Sequence, residues 1–72
     1  MPNRAHAFVD VEEAKKHRIN LDSVQSPYTL WNSTLPREAY VIFKMPTDDL
    51  PPRYKKLESD PRYRKLELAF GN

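Results

Sequence analysis

The chain has no cysteine, a single glycine and no long apolar run among its 72 residues. Each absence removes a class of behaviour. Without Cys there is no disulfide to staple a small core, and no thiolate to act as nucleophile or metal ligand. One glycine, Gly71, cannot build a phosphate-cradling loop of the Walker type. No stretch approaches the roughly 20 apolar residues of a membrane-spanning helix, and MPNRAHAFVDVEEAKK carries no apolar run of the signal-peptide kind. The expectation is therefore a soluble, cytoplasmic protein that makes no membrane contact. Asn32-Ser33-Thr34 matches a glycosylation acceptor, and is set aside for want of a secretory signal.

What is present is polar and segmented. Hydrophobic residues make up 39% and charged residues 31% of the chain, a shift toward charge relative to an average domain, yet not a disordered composition. Aromatic residues run the whole length, from Phe8 through Tyr28, Trp31, Tyr40, Phe43, Tyr54 and Tyr63 to Phe70, the distribution expected of core anchors. A chain of this size is one small domain, and it buries only about 60% of the surface its unfolded form exposes. Such a core needs tight packing or help from another chain, so a homo-oligomer is one way to complete it. Net charge is only +2, but six Lys or Arg stand against three acids from Pro52 onward, compared with six against seven before it. The basic character is local, and a local patch is what a polyanion would use.

Along the chain, residues 1–9 read as a flexible, extended arm. Asp10 followed by Glu13 forms the Asp-x-x-Glu pattern of a capping box, and acids at the start with Lys15, Lys16, His17 and Arg18 at the end suit the helix dipole. A helix over 11–18 is predicted. Tyr28 to Trp31 reads as a strand from its aromatic and β-branched content, and Ala39 to Met45 alternates with Val41, Phe43 and Met45 on one face. The two together predict a β-hairpin. The competing reading begins a helix at Pro36. Residues 46–51 form a linker rich in proline and acid.

The most distinctive feature is a phrase written twice, PRYKKLE at Pro52–Glu58 and PRYRKLE at Pro61–Glu67, nine residues apart. At about 100° per residue a nine-residue offset turns the two copies to opposite sides of one continuous helix. Pro61 breaks such a helix at a cost of about 3 kcal/mol, while serving well as the first residue of a new one with Asp60 as its cap. Tyr and Leu three apart in each copy form one apolar stripe. The spacing predicts two short helices, 52–59 and 61–69, meeting at Pro61, with Gly71 ending the second. The fold class is α+β, one β-hairpin with three short helices; the alternative is an all-α bundle.

Chemistry-bearing constellations are sparse. His6 and His17 are the only histidines, and Glu13 with His17 supplies two ligands where a metal site needs three or four. No Ser or Thr has a base placed by a recognisable motif. No metal, no cofactor and no enzymatic activity are expected. Trp, Tyr and Arg are the residues of interface hot spots, so the predicted function is a protein-binding adaptor, inhibitor or accessory subunit of a larger protein partner. Its contact residues are Trp31, Tyr40, Arg53, Tyr54, Arg62, Tyr63 and Arg64. The alternative is a nucleic-acid contact through Arg53, Lys55, Lys56, Arg62, Arg64 and Lys65, with tyrosines interleaved for stacking.

Overall fold

The structure, a computed structural model, describes residues 3–44 and 47–70. Met45, Pro46 and Gly71, which the sequence assigns to the strand end, the linker and the final helix stop, lie outside the described residues, as do Met1 and Pro2.

The fold is a small α+β domain whose sheet is built outward from the segment expected to be an arm. Asn3–Asp10 forms strand β1, followed by helix α1 at Val11–Lys16, helix α2 at Pro27–Trp31, strand β2 at Tyr40–Phe43, helix α3 at Pro52–Lys55 and strand β3 at Tyr63–Phe70. Single turns of 3-10 helix occupy Leu21–Ser23, Arg37–Ala39, Thr47–Asp49 and Lys56–Ser59. The sheet order is β2-β1-β3 with both pairings antiparallel. Four elements therefore correct the sequence reading. Residues 3–9 are the central strand, Tyr28–Trp31 is helical, the partner of β2 is β1, and the second copy of the repeated phrase runs into a strand.

Each correction has a local cause. Asn, Ala and His favour strands poorly, so β1 carries no strand signature of its own, and its pairing on both sides decides its conformation. In α2 the helix-start chemistry outweighs the β-branched content: Ser26 takes the Tyr28 N–H on its hydroxyl at 3.2 Å, and Pro27 occupies the first helical position. The Pro36 helix start is satisfied by the 3-10 turn at Arg37–Ala39, after which the chain extends into β2.

α1 begins as the sequence predicts. Asp10 Oδ1 accepts from the backbone N–H groups of Glu12 at 3.0 Å and Glu13 at 3.4 Å. The reciprocal half of the capping box is replaced, since Glu13 turns to Lys16 at 3.4 Å and His17 at 3.7 Å. The helix stops in a Schellman arrangement, with the Ile19 N–H donating to the Ala14 carbonyl and the Arg18 N–H to the Lys15 carbonyl. Arg18 holds φ at 57°, a position more often given to glycine.

The sheet has two covered faces. Ala5, Ala7 and Val9 of β1, opposite Leu68, Leu66 and Arg64 of β3, look into the main core. Ala14 of α1, Leu21, Val24, Leu30 of α2, Leu35, Ala39 and Tyr40 complete that cluster. The two alanines at its centre leave room for the overlying helices, which is why a residue with little strand preference serves there. On the reverse face Phe8 is fully buried and meets Phe43 edge to face at 6.2 Å, and Phe43 meets Tyr54 of α3 at 4.9 Å. The α3 segment thus caps the second face. Burying a side chain such as Phe8 contributes about 2–3 kcal/mol.

One outer edge is short, and the other is bonded at its two ends. The Ala69 N–H donates outward to the Gln25 carbonyl at 2.8 Å and the Tyr63 N–H to the Asp60 carbonyl at 3.1 Å, sealing the two ends of the β3 edge. β2 is only four residues long. These are devices that blunt strand-edge association.

Candidate functional site

The basic residues of the doubled phrase are divided among different tasks and do not form one stripe. Arg62 donates from Nε to Asp10 Oδ2 at 2.8 Å, and Asp10 is only 3% exposed. A buried carboxylate needs such a partner, and the hydrogen bond and charge of Asp10 raise the Arg62 pKa above its ordinary value. Arg64 pairs with Asp22 across the surface. Arg53 lies over the Tyr54 ring at 4.6 Å. Lys55 and Lys56 are exposed at the end of α3, and Lys65 is exposed on β3. Beside Arg62, a cleft of about 320 Å³ is lined by Asp10, Glu13, Pro36, Glu38, Ala39 and Tyr63. A phosphate approaching Arg62 there meets Glu13 and Glu38, which oppose it.

The aromatic residues separate equally clearly. Tyr40 is 9% exposed and belongs to the main core, while Tyr54 and Tyr63 are half-buried on the reverse face and at its margin. Trp31 is different. It is 47% exposed, Tyr28 is 53% exposed, and their rings meet edge to face at 5.3 Å with planes 78° apart. They are the exposed large hydrophobic residues among those described. Pro27 and Leu30, on the other side of the same helix, are fully buried. α2 is thus pinned to the core on one side and displays two aromatic rings on the other.

Tyr28 is an exposed aromatic residue that the sequence reading does not place among the candidate contacts. A signal for it does exist. The fourteen residues Ser23 to Pro36 contain no Asp, Glu, Lys or Arg, in a chain that is 31% charged. Depletion of charge together with enrichment in Tyr and Trp is the compositional mark of an interface core. Exposed beside them in this run are Ser23, Gln25, Thr29, Asn32, Thr34 and Pro36, none of them charged.

One row of groups has the order of a nucleophile-activating relay. Glu13 lies 3.7 Å from His17 Nε2, and His17 Nδ1 lies 2.8 Å from the Thr34 hydroxyl. Its geometry suits a tether. Glu13 is shared with Lys16, and Thr34 is exposed to water on a loop. The row ties the 32–36 loop to the end of α1. Among the described residues no three His, Cys, Asp or Glu side chains cluster as a metal site, and no helix is long and apolar enough to cross a membrane.

No family model matches the chain, and neither a curated protein nor a solved structure does.

Proposed function

We propose that the chain is a non-enzymatic protein-association module, acting as a small adaptor, inhibitor or accessory subunit through the Tyr28–Trp31 face of α2. The observation that carries this reading is the pair of half-exposed rings on a helix whose opposite side is fully buried. Apolar rings left in water lower the free energy when a partner covers them, and a helix already fixed by Ser26, Pro27 and Leu30 loses little conformational freedom on binding. Arg53 and Tyr54, stacked on the α3 side, form a second and smaller aromatic–cationic surface. The proposed setting is the cytoplasm, in keeping with a cysteine-free chain.

A nucleic-acid contact through Arg53, Lys55, Lys56, Arg62, Arg64 and Lys65 is the weaker reading, because Arg62 and Arg64 already hold carboxylates. The two readings part on salt. A phosphate contact weakens steeply as salt rises, whereas an aromatic contact does not. Affinity purification of the tagged chain from its native cells is the test. Recovery of a defined protein that Trp31→Ala loses, with the circular dichroism of the variant unchanged, supports the module. A duplex or single strand bound at low salt and lost on Arg53→Ala with Lys56→Ala, alongside no effect of Trp31→Ala, replaces it.

A further inference from the structure

We infer that the occupant of the α2 face, when the chain is alone in solution, is a second copy of the same chain related by a two-fold axis. The inference rests on the association reading above and names its partner. It starts from charge. A two-fold contact sets a surface patch against itself, so each charged side chain near the axis meets its own copy and is repelled. With charged residues at 31% of the chain, most of this surface cannot face itself without that penalty. The run Ser23 to Pro36 is free of it. Along the chain the nearest charges are Asp22, held by Arg64, and Arg37; in space Arg4 and Glu67, of opposite sign, adjoin Gln25 at one end of the run, away from Tyr28 and Trp31 along the chain.

The same patch carries the apolar area that a dimer would cover. Tyr28 and Trp31, three residues apart on α2, share a helix face that continues to Asn32 at the helix end. Two copies of this face bring four aromatic rings together, with Asn32, on the same face as the rings, meeting its own copy near the axis, and Gln25 of each copy at the rim. The make-up of the domain favours such cover. The domain is small, has no disulfide and divides its buried residues between two sheet faces. A chain of that kind gains stability from covering surface with another chain.

The sheet edges are poorer candidates for the role, since the β3 edge carries exposed Lys65 and Glu67 between its bonded ends. β3 is closed at both ends by the Gln25 and Asp60 carbonyls, and β2 is four residues long.

The test is sedimentation equilibrium of the purified full chain over a wide concentration series. The mass is expected to rise toward twice the 8.5 kDa of one chain, with a midpoint that does not move when salt is raised tenfold. Trp31→Ala and Tyr28→Ala should each weaken the association at least tenfold. Asn32→Lys and Asn32→Glu should each be monomeric alone and should recover the dimer when mixed, a result that only a self-facing patch produces. Circular dichroism controls for folding, since all three positions are exposed. A chain that stays monomeric at all concentrations overturns the dimer. So does a dimer whose midpoint shifts strongly with salt or is indifferent to Trp31→Ala. A monomer that still captures another protein in a Trp31-dependent way overturns this inference alone, while a monomer that captures none overturns the association reading with it.

Discussion

PRYKKLE at Pro52–Glu58 and PRYRKLE at Pro61–Glu67 differ at one position, Lys55 against Arg64, yet the first is helix and 3-10 turn and the second is a turn that opens into a strand. The first has no fully buried residue, and its Leu57 is half-covered. In the second, Leu66 enters the main core and Tyr63 points to the opposite face. A Tyr and a Leu three apart satisfy a helical stripe, but they also satisfy a two-faced strand that buries something on each side. The decision is made just beyond the phrase. KLES in the first copy offers no second apolar residue, whereas KLEL in the second continues the alternation to Leu68, which is 2% exposed. The entries differ too. The Pro51 carbonyl accepts from both Tyr54 and Lys55 and starts a helix, while Asp60 holds the Arg62 N–H on its side chain and the Tyr63 N–H on its carbonyl, forming a turn.

The comparison breaks most easily at Leu68. Leu68→Ala should cost about 2–5 kcal/mol, a large share of the stability of a domain this small, and urea unfolding should show it. Its counterpart Leu57→Ala, at a half-covered position, should cost clearly less; equal losses would mean that the two copies are equally embedded. Second in size is Asp10→Ala, which removes the cap of α1 and the buried partner of Arg62 together, for about 2–4 kcal/mol. Asp60→Ala, which removes the half-exposed side chain that accepts from the Arg62 N–H in the turn of the second copy, should cost about 1 kcal/mol. Smallest of all is exchange of the one differing residue. Arg64→Lys weakens an exposed pair with Asp22 and should cost under about 1 kcal/mol, and Lys55→Arg should fall within about 0.5 kcal/mol of zero. If Lys55→Arg turned the first copy into a strand by NMR chemical shifts, residue identity rather than surroundings would set the difference.

What the sequence made legible follows the same line. α1 was readable because its cap is local: Asp10 and the acids behind it act within one turn. β2 was readable from its Val-Ile-Phe run, and α3 from Pro52 at its start. β1 was not, because Ala5, Ala7 and His6 have little strand preference and take their conformation from partners dozens of residues away. β3 was hidden by the first copy, whose helical reading transferred to the second. The Ser26-Pro27 start of α2 is a helix signal that competes with the strand signal of the aromatic residues after it. At the candidate site, residue type alone points to Trp31; Tyr28 is marked in the sequence only by the charge-free run, and the helix places it three positions away on the same face. Arg62 was visible as a cation, but its bond to Asp10, 52 positions earlier, was not.

The position of β1 at the middle of the sheet has a kinetic consequence. Its pairing with β3 starts at Asp10 and Tyr63 and ends at Asn3 and Phe70, so even the nearest pair requires a loop of about 50 residues to close before the ladder can form. Such closure is slow to reward. Refolding should run on the millisecond-to-second scale typical of non-local topologies rather than in microseconds, and the opening and closing strands hold shape only in each other's company.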